Sequence, residues 1–167
     1  LTSGAMQGRR QFAARLRDAA ELQRAVVAEQ EVHYQQQVDR RLAVPEDEQD
    51  RYAKLLSDVL AKAGLEAVPP QYVVLVDRSA LVQAAMIFWK SEAGDFRFIG
   101  ASPASTGKPG RFEYFETPTG VFDHTLGNLD FWSEGTRNEL GILGYGRKGM
   151  RVYDFGWLHA PKGWGNR

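Results

Sequence analysis

The chain has 167 residues, of which 43% are hydrophobic, and this suits one domain, with or without an appendage, that buries an apolar core. Its 21 basic and 21 acidic residues balance, so no overall positive field favours nucleic acid or anionic membranes as partners. No apolar run reaches the roughly 18 residues that a membrane-spanning helix needs. Cysteine is absent, which excludes disulfides, thiolate zinc sites and a cysteine nucleophile within this sequence.

The first part of the chain, up to Gly64, is rich in alanine, glutamine, arginine and glutamate, which favour helices. Apolar residues at mostly helical spacing predict a first helix over residues 8–42. Pro45 and the three acidic residues after it predict the start of a second helix that ends at Gly64. The apolar face of this second helix comprises Tyr52, Leu55, Leu56, Val59, Leu60 and Ala63. We expect a helical hairpin that packs on itself or on the following domain, with a coiled-coil partner site as the alternative.

A stiff joint, Val68-Pro69-Pro70, separates a helical region, residues 1–67, from a β domain over residues 68–167. The apolar run Tyr72–Val76 predicts a strand that is buried on both faces. Two further strands are predicted at Leu81–Trp89 and at Phe96–Ile99. Turn residues separate the three runs and no helical pattern lies between them, so an antiparallel meander is favoured over a parallel sheet. The predicted fold class is α+β.

Several patterns resemble known sites but fail in their context. Gly144–Gly149 matches the dinucleotide pattern G-x-G-x-x-G, but a strand-like run follows it instead of a helix, so we interpret it as a glycine-rich hairpin turn. Ser105–Gly110 contains the Gly-Lys pair of a phosphate loop, but Pro109 stands where the metal-binding serine or threonine is needed. Zinc-ligand spacing is missing among the three histidines, His33, His124 and His159. No metal site and no cofactor is predicted.

One ordered set of motifs is distinctive. Val76-Asp77-Arg78-Ser79 comes first, Ser105-Thr106-Gly107-Lys108-Pro109-Gly110 follows, and Thr117-Pro118-Thr119-Gly120-Val121-Phe122 completes the set. In this order, the segment Tyr72–Phe122 resembles the N-terminal part of the L,D-transpeptidase (YkuD-type) catalytic domain. In that family, similar motifs form strands and turns along the active-site cleft.

The resemblance implies a mainly antiparallel sheet domain of L,D-transpeptidase type and a set of residues that line its cleft. These cleft residues are Thr106, Gly107, Thr119, Gly120 and Phe122. The alternative is that the threonines and glycines serve only turn geometry.

The connection between Phe122 and Met150 departs from the family pattern, and a long connection in a compact domain is often a functional lid. We expect Phe131 and Trp132 to pack in such a lid, so Trp132 joins the predicted cleft residues. Three residues further on are also expected at the rim of the cleft, namely Trp157, Lys162 and Trp164.

The chemistry that the resemblance implies depends on a cysteine. In the family, a thiolate from a Ser-x-Gly-Cys-x-Arg motif attacks a carbonyl of a peptidoglycan stem tetrapeptide and expels the terminal D-alanine, and an amine of a neighbouring stem resolves the thioester. This sequence contains no such motif, and His124 and His159 lie outside the expected context. No catalytic residue is therefore assigned. We expect the domain to be incomplete at its C-terminus and the chain to be inactive by itself.

The resemblance implies peptidoglycan stem peptides as partners and the periplasm or the cell envelope as the location. It leaves the oligomeric state open. One alternative is a catalytically dead relative that binds peptidoglycan or a partner enzyme. Another is an unrelated β-rich binding module with a helical hairpin.

Overall fold

The computed structural model describes residues 3–108, 110–112, 114–125, 127 and 130–156. Two helices and a three-stranded antiparallel sheet come first, and a two-stranded sheet follows. The protein therefore has an α+β fold, as predicted. In the described ranges, no helix combines the length and the hydrophobicity that crossing a bilayer requires. Several residues named above lie outside the described residues, namely Pro109, Trp157, His159, Lys162 and Trp164.

The two helices are α1, Ser3–Gln37, and α2, Glu46–Lys62. The first helix ends five residues before the predicted boundary at residue 42, and the Arg41 guanidinium donates hydrogen bonds to the carbonyl groups of Gln35 and Val38 at this end. The second helix follows Pro45, as predicted. Its first turn carries three carboxylates, which the partial positive charge of a helix N-terminus stabilises.

The main sheet consists of β1, Gln71–Asp77, β2, Ala84–Lys90, and β3, Phe96–Pro103, in the order β1-β2-β3 with antiparallel pairing. The predicted meander is confirmed. The prediction that the first strand is buried on both faces is wrong, because β1 lies at an edge of the sheet and leaves Tyr72 and Val74 exposed.

The second strand begins three residues later than predicted. Leu81 and Val82 belong to the turn before β2, where the backbone N–H groups of Val82 and Gln83 both donate to the carbonyl of Ser79. Leu81 is almost fully exposed. The apolar sequence that predicted the strand therefore begins inside a turn. The hydrogen bonds of this turn keep Leu81 and Val82 from pairing with β1.

The two helices cover opposite faces of the main sheet. Successive residues of a strand point to opposite faces, and β2 accordingly separates two clusters. On one face, Tyr52 and Leu56 of α2 pack with Ala84, Met86, Phe88 and Ala101. On the other, Val27 and Tyr34 of α1 pack with Ile87, Trp89 and Ile99. Of the two packing modes left open for the helices, the structure thus shows packing on the sheet, and the helices do not form a hairpin by themselves.

A β-bulge in β3 positions α1. Ile87 pairs with Gly100 and Phe88 pairs with Phe98, so Ile99 is an extra residue in β3. A side chain at Gly100 would overlap the ring of Tyr34. The Tyr34 hydroxyl is 2.7 Å from Ser102 Oγ, within hydrogen-bond distance. The glycine and the bulge therefore let the helix approach the strand closely.

The second sheet pairs β4, Phe131–Trp132, with β5, Arg151–Val152. The connection between them contains Gly144–Gly149, as the hairpin-turn interpretation requires. Ser133 and the last residues of this connection exchange backbone hydrogen bonds, from Ser133 N–H to the Met150 carbonyl and from Gly149 N–H to the Ser133 carbonyl.

Candidate functional site

The three motif segments of the sequence meet at one end of the main sheet, where β1 ends, β2 begins and β3 ends. The N–H of Thr117 donates to the carbonyl of Thr106 over 2.9 Å. The Arg78 guanidinium donates to the carbonyl of Thr117 over 2.7 Å and lies 3.8 Å from the Glu116 carboxylate. Each motif therefore contacts at least one of the others through a specific hydrogen bond.

Helix α2 holds the first motif in place through a side-chain hydrogen bond. The Asp77 carboxylate accepts one hydrogen bond from the Ser79 N–H and another, of 2.7 Å, from the Tyr52 hydroxyl. Burial raises the pKa of Tyr52, and the bond to the carboxylate raises it further. The hydroxyl hence stays protonated as a donor. Asp77 therefore links α2 to the short turn Asp77–Ser79, which contains Arg78.

The second motif depends on a close approach of two backbone segments. Gly107 has a φ of +86°, and a Cβ there would overlap the carbonyl oxygen of Phe115. Only glycine combines this conformation with this contact at low cost. The side chain of the preceding Thr106 is 3% exposed, and its Oγ1 has no hydrogen-bond partner among the described residues. A buried hydroxyl without a partner is costly, so the packing of the second motif leaves one polar atom unsatisfied.

The third motif ends on an aromatic contact. Thr119 and Gly120 are exposed. The half-buried ring of Phe122 stacks on Phe155, with 5.0 Å between the ring centroids and an angle of 25° between the planes. The exposed Thr119-Gly120 turn is thus connected to the segment after β5.

The sixth predicted cleft residue, Trp132, lies on β4. It is 62% exposed, and the Arg151 guanidinium lies 5.4 Å from the centre of its ring. Phe131 is also exposed and makes an edge contact with Tyr145. The expected packing of these two rings in a lid is therefore wrong, because β4 is a two-residue strand whose rings lie against Tyr145 and Arg151 at the surface rather than in a core.

The connection between β4 and β5 nevertheless lies beside the second motif. A Cβ at Gly146 would lie 3.9 Å from Cβ of Ser105. Gly146 is fixed by buried Ser133, whose Oγ donates to the Gly146 carbonyl over 3.2 Å and accepts the N–H of Gly135. Two loop systems, the described residues of 104–120 and residues 133–150, thus lie next to each other at Ser105 and Gly146.

A charged cluster that the sequence interpretation missed connects the loops around β4 and β5. The Asp130 carboxylate, 6% exposed, lies 3.0 Å from His124 Nε2 and accepts bonds from Arg151 at 3.1 Å and from the Asp154 N–H at 3.2 Å. Desolvation alone would raise the pKa of Asp130, but the Asp154 N–H, His124 and Arg151 together hold it below its usual value. The sequence indicated only a hairpin turn at Gly144–Gly149, and the register that places Trp132 opposite Arg151 is seen in the structure.

A groove of about 620 Å³ lies elsewhere, between Gln35 of α1, Gln49 of α2 and Phe98 of β3, and none of the predicted cleft residues lines it. In the described part of the chain, no group of three or more histidine, aspartate or glutamate side chains comes together as a metal site. No protein-family model and no curated protein matched the chain. The resemblance to L,D-transpeptidases therefore rests on the motifs themselves.

Proposed function

We propose that the chain carries the sheet and the cleft-wall motifs of an L,D-transpeptidase-like protein of the periplasm or cell envelope that acts on peptidoglycan stem peptides. The observation that supports this proposal is the convergence of the three motif segments, through Thr106, Thr117 and Arg78, at one end of the main sheet. In the complete protein, a cysteine forms the acyl-enzyme. This chain has no cysteine and is inactive by itself.

The site has chemistry that suits a stem peptide. The C-terminal carboxylate of a stem peptide is an anion, and Lys108 and Arg111 are exposed cations on the loop that follows Gly107. Polar backbone groups of the two adjacent loop systems suit an extended peptide, whose own backbone offers matching donors and acceptors.

Mass spectrometry of muropeptides tests the catalytic part of the proposal. Tetrapeptide muropeptides are incubated with this chain and with a version extended by whatever the native gene encodes downstream. We expect the extended protein to exchange or remove the terminal D-amino acid and thiol alkylation to abolish this. Product formed by the short chain alone would contradict the proposal, because a catalyst without cysteine would then lie in residues that we assign to the scaffold.

Nuclear magnetic resonance titration of the short chain with a stem tetrapeptide tests the binding part. We expect shifts of the backbone amides of residues 105–108, of Thr117 and of residues 119–121. Lys108→Glu should weaken binding at least about fivefold, whereas Lys54→Glu, an exposed position on α2, should leave it unchanged. Shifts confined to the groove between α1 and α2 would show that the motif loops are not the peptide site.

The lack of cysteine favours a second candidate function, a catalytically dead relative that binds peptidoglycan without turnover. The same muropeptide experiment separates the two. If the extended protein also lacks activity while the short chain binds stem peptides at the motif loops, the binding function replaces the catalytic one.

A further inference from the structure

The first half of α1 extends beyond the packed part of the protein. Residues 9–19 are all exposed, whereas Val27 and Tyr34, further along the same helix, are buried against the sheet. At 1.5 Å per residue, the exposed segment is roughly 16 Å long. An isolated helical segment of this length is marginal in water, because most helical stability comes from packing of an apolar face.

Helix α1 carries an apolar stripe that begins in this exposed segment, continues beyond it and is symmetric about one residue. Phe12 and Leu16 lie seven and three residues before Ala19, and Leu22 and Val26 lie three and seven residues after it. Residues at these spacings share one side of a helix. The four large side chains are between 44% and 68% exposed. We refer to these five residues as the α1 stripe.

The two parts of α1 carry net charges of opposite sign. Residues 9–17 contain four arginines and no acidic residue, a net charge of +4. Residues 18–29 contain three carboxylates and one arginine, a net charge of −2, and the next carboxylate, Glu31, is already paired with Arg97. Parallel pairing of two α1 helices would bring arginines next to arginines. Antiparallel pairing brings the basic half of each helix next to the acidic half of the other, which is the favourable arrangement.

We propose that the α1 stripe is a self-association surface, through which two copies of the chain pair their α1 helices in antiparallel orientation about a two-fold axis beside Ala19. Phe12 then lies at the height of Val26 of the second copy, and Leu16 lies at the height of Leu22. The small side chain of Ala19 at the crossing lets the two backbones approach. A two-fold contact must be complementary to itself, and the symmetric spacing of the stripe together with the asymmetric charge satisfies this condition. The inference does not depend on the proposed function.

The first experiment measures the mass of the full chain in solution by light scattering or sedimentation equilibrium. We expect twice the monomer mass of 18.7 kDa at concentrations of about 100 µM. Leu16→Glu should return the protein to the monomer mass. The matched control is Ala14→Glu, which introduces the same charge on the opposite side of the same exposed segment and should leave the dimer intact.

The second experiment determines the orientation and uses the absence of cysteine in the chain, so that one introduced thiol is unique. Ala19→Cys lies beside the proposed axis and should form an intermolecular disulfide rapidly on mild oxidation. Phe12→Cys places the two sulfur atoms roughly 21 Å apart in the antiparallel pair, far beyond the 7 Å limit between Cα atoms for a disulfide. Equal cross-linking at both positions would indicate a parallel pair and overturn the proposed geometry.

Circular dichroism and the melting temperature of each variant show whether it remains folded. A folded Leu16→Glu variant with the mass of the parent would overturn the proposal, as would a parent chain that stays monomeric at about 100 µM. If α1 pairs only with a different protein, the parent chain by itself stays monomeric, and the proposal is likewise overturned.

Discussion

Two regions of this protein differ in how they are stabilised. Every buried hydrophobic side chain of the described residues lies between residue 27 and residue 103, which we call the sheet region. In the region from residue 104 to residue 156, the loop region, the buried side chains are those of two polar residues, Thr106 and Ser133. Apolar burial thus stabilises the first region, whereas the second depends on hydrogen bonds and turn geometry.

Glycine usage shows the same contrast. Of the ten described glycines with positive φ, eight lie in the loop region and two, Gly64 and Gly94, lie before it. Glycine permits tight turns but loses more conformational freedom on folding than other residues. The sheet region is therefore the stable scaffold, and the loop region, which contains the candidate site, is expected to open at lower free energy.

The largest expected effect is in the sheet region, at Leu56. Leu56→Asp places a carboxylate in the cluster between α2 and the sheet, where the side chain is 6% exposed. Removal of a core leucine alone costs about 2–5 kcal/mol, and burial of an unpaired carboxylate adds to this. We expect the free energy of unfolding to fall by about 4 kcal/mol or more in urea denaturation.

The neighbouring leucine provides the control. Leu55 belongs to the same predicted apolar face but is 42% exposed, so Leu55→Asp should cost only about 1 kcal/mol. Equal losses of unfolding free energy in the two variants would show that α2 packs with a different face. The comparison between the sheet region and the loop region would then lose its basis.

A smaller and local effect is expected in the loop region at Gly107. Gly107→Ala brings a methyl group into the Phe115 carbonyl and should break the hydrogen bond from Thr117 to Thr106. We expect hydrogen exchange of the Thr117 amide to accelerate at least about tenfold, which corresponds to about 1.4 kcal/mol, while the urea midpoint of the sheet region changes little.

Gly110→Ala separates backbone strain from this clash. Gly110 also has a positive φ, of 76°, but a Cβ there meets nothing within 4 Å. We expect no acceleration at the Thr117 amide in this variant. Loss of the whole fold in Gly107→Ala would mean that the two regions unfold as one unit.

Acid should open the loop region before the sheet region. The pKa of Asp130 is lower in the folded protein than its ordinary value, so its contacts stabilise the fold above the ordinary value of about 3.9 and this contribution is lost as the pH falls through the lower folded value. The Asp154 amide, which donates to Asp130, should therefore lose protection below about pH 4. In Asp130→Asn this pH dependence should disappear. A parent and variant with the same acid profile would assign the transition to another carboxylate.

The sheet region could largely be predicted from the sequence, because periodic apolar residues report the burial that stabilises it. The meander and the start of the second helix at Pro45 follow from such local patterns. Local patterns do not tell which strand lies at the edge of a sheet. For this reason the apolar run at Tyr72–Val76 suggested burial on both faces, whereas Tyr72 and Val74 are exposed.

The loop region could be predicted only in part. The glycine at position 107 and the turn at Thr117–Gly120 were visible as motifs, but the contact between them is a backbone crossing that no periodicity reports. The charged cluster at Asp130 forms from residues up to 24 positions away from Asp130 in the sequence, most of them outside regular structure. Phe131 and Trp132 suggested a packed lid, because the aromatic character of a residue does not determine whether anything covers it.

The smallest expected effect concerns the attachment of α1 to the sheet region. Arg97 on β3 donates two hydrogen bonds, of 2.8 and 3.2 Å, to the Glu31 carboxylate. Both side chains are partly exposed, at 44% and 33%, so solvent screening reduces the interaction to about 0.5 kcal/mol. A double-mutant cycle with Glu31→Gln and Arg97→Gln should give a coupling of this size that decreases in 1 M salt. The attachment of α1 then depends on Val27 and Tyr34, which are buried on the sheet. A coupling above about 2 kcal/mol would show instead that the ion pair, and not apolar burial, fixes the helix.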